Sequence, residues 1–447
     1  MALRRLDATP TWFVYAAAWA FVGTLSWTTA AVYFVREAGL SPLQLVLAGT
    51  ALEVAYFLSE VPTGVLADLY SRRLSLVVAA VVCGSGMLVV GLAPGPGVVL
   101  AGMALWGFGW TFRSGAEDAW LADEVGSEGL GAAYQRGAQV ERVAGLTGIG
   151  AAVALASVDL RLPLLGAGAT AGLLAVFLAV AMPERGFTRP DRVPGPAASA
   201  RAALATFGDG RREVLARPVL LAVLGVAVAV GAWSEGWDRL WEAHLLLDIG
   251  LPTFWGLDDV AWFGVLAAGT LLISFVVAAP LVARIERLEH ARLARLLAAL
   301  HTLLLGAALA FALADRFWLA VSAYWATTVV RSLASAPFRT WLNLGIAESS
   351  SRATVLSITN IAGSAGEWAG GPALGWVGTR WTVRAALATG ALALLPAVLL
   401  LARAGRHGDL EPSAVVGEVA AGAAGEVAGE PGGEIGGPVT PGAASRG

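Results

Sequence analysis

Long apolar runs recur along almost the whole of this 447-residue chain, and they constrain its fold more than any other feature. An α-helix needs about 20 apolar residues to cross the hydrocarbon core of a bilayer. Hydrophobic residues make up 57% of the chain and charged residues only 14%, unlike the composition of a soluble protein. The runs therefore predict an all-α membrane protein with twelve transmembrane helices. Their approximate limits are 11–35, 43–66, 74–93, 97–120, 135–157, 161–182, 218–246, 258–283, 293–313, 316–338, 353–377 and 382–403.

The distribution of arginine between the loops predicts the orientation of the chain. An even number of spans places both termini on one side, and cytoplasmic loops carry an excess of basic residues. Loops of one parity hold most of the arginines, including those nearest both termini. We therefore expect a multi-pass protein of the cell membrane with both termini in the cytoplasm. The other parity holds only Arg36, Arg161, Arg316, Arg380 and Arg384.

A polar segment, residues 184–217, divides the spans into two sets of six. It is rich in Arg, Pro, Gly and Ala and is longer than most other connections, as expected of a linker. The sequence thus predicts an N-terminal six-helix bundle over 1–183 and a C-terminal bundle over 218–405, joined by a cytoplasmic linker. Residues 406–447 have few bulky apolar side chains, and we expect a disordered cytoplasmic tail.

The two halves resemble each other weakly at corresponding positions. The first span is followed by Glu-Ala-Gly-Leu at 37–40 and the seventh by Asp-Ile-Gly-Leu at 248–251. Such internal repetition is typical of transporters whose substrate site lies between two pseudo-symmetric halves near the middle of the membrane. We expect that arrangement here.

A charged, turn-forming segment, residues 60–73, separates the second and third apolar runs. In a membrane protein, Gly, Asp and paired Arg are tolerated together mainly in a short loop at the water interface. We expect a tight cytoplasmic hairpin in which Gly64 lets two backbones approach and Asp68 accepts from a helix N-terminus or an arginine. Arg72 and Arg73 should hold the hairpin on the cytoplasmic side.

The same segment resembles the loop between helices 2 and 3 of the major facilitator superfamily, whose motif reads roughly Gly-x-Leu-Ala-Asp-x-x-Gly-Arg-Arg; Ser71 replaces its second glycine. Three further segments resemble a branch that includes macrolide and tetracycline efflux proteins. The resemblance covers about residues 11–403 and implies a proton-driven exporter of hydrophobic drugs or antibiotics. The three segments are Ser-Gly-Ala-Glu-Asp-Ala-Trp at 114–120, Arg-Ala-Thr-Val-Leu-Ser at 352–357 and Gly-Gly-Pro-Ala-Leu-Gly at 370–375.

Acidic residues inside the spans are candidate proton or substrate sites, because a charge at the centre of a helix in lipid costs about 2.5–3.5 kcal/mol. Glu53 lies near the middle of the second span. It either faces a central cavity or is kept neutral between helices. Glu367 and Asn360 share a polar stripe on the eleventh span, and helix packing through small residues does not require a carboxylate there. We expect a coupling or substrate role for this stripe.

The seventh span is the most polar. Glu235, Asp238 and Glu242 share one face, and Arg239 is spaced to neutralise one of the two glutamates. One interpretation makes Glu235 or Asp238 a proton or cation site, with Trp237 and Trp241 stacking on the substrate. The other is a belt of tryptophans at the membrane interface with solvated charges, which we expect for Glu242.

Charged residues of other spans are candidate gate residues. Arg113 and Glu141 should lie at similar depth on adjacent antiparallel helices, where an ion pair between them would lock the inner side. Glu60 is expected to latch the hairpin by accepting from backbone or an arginine. Arg331 is the counterpart of Arg113 in the second half, and it could instead hold an anionic substrate.

The sequence contains no sign of catalytic or cofactor chemistry. The four histidines are scattered without ligand spacing, no serine lies in a Gly-x-Ser-x-Gly turn, and no nucleotide-binding glycine loop is present. Arginines are spread over the loops rather than gathered into a basic patch. We expect no metal, no cofactor, no nucleic acid partner and no enzymatic activity. The expected partners are protons, a small-molecule substrate and the lipid bilayer, and we expect a monomer.

These features together favour a secondary transporter in which protonation of buried acids drives a hydrophobic solute outward by alternating access. A proton-coupled importer of a small metabolite is the alternative, since the Gly-rich segment 145–150 lacks the proline that many drug/proton antiporters have there. A third possibility is a non-transporting receptor or scaffold that signals through the linker or the tail.

Overall fold

A computed structural model of the chain describes residues 6–188, 214, 217–285, 290–344, 346 and 352–407. These ranges are almost entirely α-helical. One π-helical turn, Leu245–Ile249, and one 3-10 turn, Phe254–Gly256, lie between α9 and α10. The helices are α1 (Ala8–Trp27), α2 (Ala30–Arg36), α3 (Pro42–Leu69), α4 (Arg72–Leu92), α5 (Pro96–Ser114), α6 (Glu117–Val125), α7 (Ser127–Ala156), α8 (Leu162–Ala181), α9 (Pro218–His244), α10 (Asp259–Ile285), α11 (His290–Leu313), α12 (Phe317–Leu344), α13 (Arg352–Arg380), α14 (Val383–Leu392) and α15 (Leu395–His407).

Within the described ranges these helices make twelve passes, as predicted, with the first and last passes each broken into two helices. Seven passes are long and apolar enough to cross a membrane on composition alone. The others carry more glycine and charge or are described only in part. The linker predicted over 184–217 and the tail predicted over 406–447 lie almost entirely outside the described residues.

Local sequence signals set where several passes begin. Proline occupies the first turn of α3, α5 and α9 at Pro42, Pro96 and Pro218, where its missing N–H would have had no helical partner. Ser41 and Gln44 form a reciprocal cap on α3: the Gln44 side chain accepts from the Ser41 N–H at 2.9 Å. The starts of these three passes are therefore fixed to within a turn by residues that favour a helix N-terminus.

Glycines let neighbouring helices pack with their backbones almost in contact. A Cβ atom added at Gly107 of α5 would lie 2.1 Å from the Leu52 carbonyl oxygen of α3. A Cβ at Gly231 of α9 would lie equally close, 2.1 Å, to the Gly363 carbonyl oxygen of α13. Helices α1–α8 pack with one another in this way, and helices α9–α15 form a second group.

The connection in the segment 60–73 is shorter than predicted. Helix α3 continues through Pro62 to Leu69 and α4 begins at Arg72, so that only Tyr70 and Ser71 join them. The charged residues do not require a loop, because water at the membrane interface solvates them equally well on the last turn of a helix. Gly64 does permit close approach, since a Cβ at Gly115 would lie 3.3 Å from the Gly64 Cα.

An acid outside the segment caps the hairpin. Glu184 accepts hydrogen bonds from the Ser71 hydroxyl at 2.7 Å and from the Arg73 N–H at 2.9 Å, at the N-terminus of α4. The expectation that Asp68 makes such a contact is wrong. Asp68 is exposed and has no hydrogen bond or ion pair with any described residue. Helical side chains lean toward their own N-terminus, so a residue on the last turn of α3 points away from the start of α4.

A second acid from outside the segment holds the first arginine of the hairpin. Arg72 forms an ion pair with Asp123 of α6 and donates to the Ala119 carbonyl at 2.7 Å. The hairpin is therefore tied both to α6 and to the chain that leaves α8.

Replacing Glu184 by Gln should destabilise the hairpin by about 1 kcal/mol, because the amide loses the negative charge and one acceptor at a helix N-terminus. We expect the apparent melting temperature of the purified protein to fall by about 2 °C. Asp68→Asn is the matched control and should leave the melting temperature unchanged. Equal shifts for the two variants would contradict the assignment of Glu184 as the capping acid.

Candidate functional site

Four cavities lie inside the molecule, two of them lined by both groups of helices and two lined by one group each. Trp27 lines three of them, with volumes of about 370, 350 and 190 Å³. A fourth cavity of about 280 Å³ lies among α9, α11, α12 and α13. Small-ligand pockets range from roughly 300 to 1,000 Å³. We call these four cavities the central chamber, and they make this interior a candidate solute site.

Two ion pairs involving α9 border the chamber. Glu235 is only 6% exposed and accepts from Arg239, one turn later, at 3.2 Å. The Glu235 and Arg239 side chains both lie against the backbone of α3. A Cβ atom added at Gly49 of α3 would lie 2.1 Å from Arg239 Nε. Asp238 accepts two hydrogen bonds from Arg331 of α12, at 2.6 and 2.9 Å. Helical spacing predicted the first pair, whereas the second depends on how α9 and α12 are placed.

Three further acids line the chamber without an ion pair or hydrogen bond to any described residue. Glu53 lines the 370 Å³ cavity, Glu367 the 280 Å³ cavity, and Glu242 the other two. Glu53 and Glu367 lie within electrostatic range of each other and of Glu235 and Asp238. The structure thus brings together all four acids proposed from the sequence. It also places Glu242 in the chamber, so the expectation of a solvated residue at the membrane interface is wrong for that acid.

Aromatic rings form much of the chamber wall, but Trp237 is not among the rings that line the cavities. It is 4% exposed and packs edge to face on Phe311, with ring centroids 4.9 Å apart. Trp241, one turn later, stacks on Tyr324 at 4.3 Å and lines two of the cavities. Of the two tryptophans expected to stack on a substrate, only Trp241 lines the cavities.

Arg113 pairs with a residue of its own segment. Its Nε lies 2.5 Å from the Glu117 carboxylate, and Tyr15 accepts from Arg113 at 3.2 Å while donating to Glu117 at 3.1 Å. The guanidinium carbon lies 4.4 Å from the centre of the Trp110 ring. The predicted ion pair with Glu141 is wrong, because Glu117 is only one turn away. Glu141 is half-buried and pairs with no described residue.

Two other predicted residues make no contact of the predicted kind. Glu60 is exposed and accepts from the Tyr56 hydroxyl of the same helix at 2.8 Å, so the predicted latch on the hairpin is wrong. Tyr56, one turn earlier, satisfies the carboxylate first. Asn360 is exposed and has no hydrogen bond with a described residue.

The chamber residues do not form a metal site. In the described part of the chain, no group of three or more His, Cys, Asp or Glu side chains could hold a metal ion. What the arrangement can do chemically is exchange protons, rearrange ion pairs and bind solutes against aromatic walls.

The two groups of helices meet at one end of the molecule, which we call the opposite face because it lies away from the Tyr70–Ser71 connection. The Leu43 N–H at the start of α3 donates to the Thr379 hydroxyl near the end of α13 at 2.8 Å. Arg36 at the end of α2 forms an ion pair with Asp259 at the start of α10. These contacts hold the groups together at the opposite face.

Sequence reasoning missed these contacts, although the arginine count contained a signal. Arg36 and Arg161 stand among the five exceptions on the arginine-poor loops, and each forms an ion pair with an acid, whereas Arg384, a third exception, meets an acid only through its backbone N–H. Arg161 donates to Glu37 at 3.0 Å, and this hydrogen bond raises the pKa of Arg161 above its ordinary value. The Arg384 N–H donates to Asp248 at 2.9 Å. An exception to a charge rule is a useful indication of a structural ion pair.

Comparison with known proteins gives the family and the fold. A sequence model of the Major Facilitator Superfamily matches residues 11–367, and no curated protein matches the chain in sequence. The fold is similar to that of the nucleoside transporter NupG, with a TM-score of 0.70 and 11% sequence identity. The similarity covers 90% of this chain and 100% of that chain. It is also similar to that of the peptide transporter POT in complex with sulfate, with TM-score 0.70 and 16% identity over 92% and 98%. A bacterial homolog to the human lysosomal transporter Spinster, inward-facing and occupied, gives TM-score 0.63 and 15% identity over 89% and 94%. Identities this low show a shared fold, which confirms the fold class predicted from the sequence.

Cysteines introduced by Pro42→Cys and Gly378→Cys should form a disulfide across the opposite face. A Cβ at Gly378 would lie 2.9 Å from the Pro42 Cβ, and a disulfide needs about 3.8 Å, so a slight separation suffices. The native Cys83 is buried and does not compete. Oxidation should change the electrophoretic mobility of the double variant and of neither single variant. A double variant that keeps two free thiols would contradict the observed contact.

Proposed function

Since the chain belongs to the Major Facilitator Superfamily, we propose that it is a proton-coupled exporter of hydrophobic small molecules. The family and the structural neighbours make it a membrane transporter rather than an enzyme. Proton coupling and export are the proposal. The observation that carries it is the presence of three unpaired carboxylates beside two ion pairs in the cavities of the central chamber.

Unpaired carboxylates support proton coupling because a bare charge in a cavity of low polarity is unfavourable. Such a group is stabilised by a proton, by a cation or by water. Glu53, Glu242 and Glu367 therefore provide positions where a proton and a solute can replace each other. This exchange is the elementary requirement of an antiporter.

The Asp238–Arg331 pair provides a route from protonation to movement. It joins α9 to α12, and both side chains are about 40% exposed, so a proton can reach the carboxylate from the chamber. Protonated Asp238 loses its charge and releases Arg331, which lines the same cavity as Glu367. Transfer of the arginine to Glu367 would exchange a contact with α9 for one with α13 and alter the packing of the second helix group.

The contacts at the opposite face support alternating access. With the termini assigned to the cytoplasm, this face is extracellular, and the structure corresponds to a state closed on the outside. Asp68, exposed here, is then free to engage the second helix group when the cytoplasmic side closes. We assign Arg72, Arg73 and Gly64 to that gate because they position the hairpin.

Import is the second candidate function. The observation that favours it is the fold similarity to proteins described as nucleoside and peptide transporters. Under that reading Arg331 would exchange Asp238 for an anionic group of the substrate. Export is preferred because the sequence segments 114–120, 352–357 and 370–375 resemble those of efflux proteins and because the unpaired charges of the chamber are acidic.

The remaining parts of the proposal concern the setting of the protein. We place it in the cell membrane as a monomer with both termini in the cytoplasm. The support is the arginine distribution and the continuous apolar surface of passes such as α8, where Leu173 and Val176 are 72% and 63% exposed.

The acids can be tested by amide substitution in proteoliposomes loaded with a compound found in a drug-susceptibility panel. We expect Glu53→Gln, Asp238→Asn and Glu367→Gln each to reduce proton-driven export roughly tenfold, because the amides cannot exchange a proton. Exchange of labelled for unlabelled compound without a gradient should be retained by at least one of them. Glu128→Gln, at an exposed position on α7, is the control. Unchanged proton-driven export in all three variants would contradict the coupling scheme. Proton-driven uptake of the compound, in place of its export, would favour import.

A further inference from the structure

The largest cavity around Trp27 is a box of indole rings with a single carboxylate. Three helices contribute to it, and its volume is about 370 Å³. The indoles come from positions one or two turns apart on α1 and on α5, so helical spacing places them on one face of each helix. The lining residues are Trp19 and Trp27 of α1, Trp106 and Trp110 of α5, and Glu53 and Tyr56 of α3.

The rings are held in fixed orientations by contact with one another. Trp106 lies edge to face with Trp19 and with Trp27, at centroid distances of 6.3 and 5.4 Å. Trp110 lies edge to face with Trp19 at 5.9 Å. Such contacts stabilise aromatic clusters and restrict the orientation of each ring. The box is therefore preformed and needs no rearrangement of its walls to receive a ligand.

Gly23 leaves one side of the box open. It lies one turn from both Trp19 and Trp27 on α1, and a Cβ placed there would meet no atom within 4 Å. Most other glycines inside the passes allow a close backbone approach, as at Gly107 and Gly231. Gly23 has no such packing role, and its effect is to enlarge the cavity.

The charge balance around the box is negative. The Arg113 guanidinium lies over the Trp110 and Trp19 rings, but Glu117 neutralises it. Arg239, the other cation near Glu53, is neutralised by Glu235.

The other charges within electrostatic range of Glu53 are acidic or already paired. Glu367 is a further unpaired acid, and Asp238 is held by Arg331. When Glu53 is ionised, no basic group among the described residues is therefore free to compensate its charge.

We propose that this box binds the positively charged group of an organic monovalent cation, a tertiary or quaternary ammonium. Trp is the strongest aromatic partner of a cation, and cages of aromatic rings recognise quaternary ammonium groups. Glu53 supplies the compensating charge, and the indoles replace the water that such a weakly hydrated cation loses. The proposal rests on the proposed transport function in taking the chamber as the solute pathway, and it names the chemical class of the solute.

The neighbouring 350 Å³ cavity suits the apolar part of the same molecule. It shares Gly23 and Trp27 with the box and is walled by Trp241, Phe263 and Tyr324. A cation with an aromatic or alkyl substituent can thus place its charge beside Glu53 and its apolar body across Gly23.

The proposal can be tested by equilibrium binding to the purified full-length protein, with radiolabelled tetraphenylphosphonium as the probe. We expect benzyltrimethylammonium to displace the probe at least tenfold more effectively than neopentylbenzene, its neutral isostere. Glu53→Gln and Trp110→Leu should each weaken probe binding about tenfold through loss of the charge or of a ring face.

Gly23→Leu tests the box without removing any contact, since it fills the open side. It should weaken probe binding tenfold or more while leaving the melting temperature unchanged or raised. Gly172→Leu, at an exposed helical position that also has open space around it, is the matched control, as is Trp376→Leu at an exposed tryptophan. Both controls should bind the probe normally.

Equal displacement by the charged and neutral isosteres, or normal binding by Gly23→Leu, would overturn the proposal. Such a result leaves the proposed function standing if proton-driven export of a neutral compound is observed. Conversely, cation binding that responds to these variants, without any proton-driven transport, would support the cation site and reject the exporter.

Discussion

A charge removed from water inside a membrane protein needs an opposite charge, a hydrogen-bond partner or a proton, and this requirement organises the interior of the structure. Arg113, Arg239 and Arg331 each meet it with an acid, and in two of these pairs the partners are four residues apart in the chain. Acids outnumber arginines in the chamber, so some carboxylates remain unpaired. The cavities occur where these remaining acids lie, since a carboxylate without a partner is tolerated only beside a space that a proton, a cation or water can enter.

Close packing through glycine gives the two helix groups the rigidity that this arrangement needs. Contacts such as those of Gly107 on Leu52 and Gly231 on Gly363 hold backbones at distances that no Cβ would allow, and they occur within a group. Gly49 allows a similarly close contact between the two groups, because its missing side chain leaves room for the Glu235–Arg239 pair to lie against α3. The groups also pack closely at the opposite face, as at Gly378 and Pro42, whereas large aromatic side chains and cavities line the interface around the chamber. Rigid groups that meet through a loosely filled interface are suited to moving as units.

The candidate acids could be found from the sequence because a carboxylate in the middle of an apolar run has few structural explanations. Glu53, Glu235, Asp238 and Glu367 were identified on that ground, and they converge in the structure. Their partners were harder to find. Helical spacing gave the neighbour one turn away, as for Arg239, whereas the predicted Arg113–Glu141 pair and the roles expected of Glu60 and Asp68 depended on contacts between helices. In each of those cases a nearer group, such as Tyr56 or Glu117, or the direction of the helix end decided the outcome.

The sequence by itself determined the twelve passes, their approximate ends, the family and the positions of charge along each helix, because hydropathy, capping and motif spacing are local properties of the chain. Tertiary structure decided which acids are paired, that Trp241 rather than Trp237 lines the cavities, and that Glu184 rather than Asp68 caps the hairpin. The physical reason is that a contact between helices depends on the rotation and depth of each helix relative to its neighbours. The packing of glycines and aromatic rings sets those quantities, and no periodicity along one helix records them.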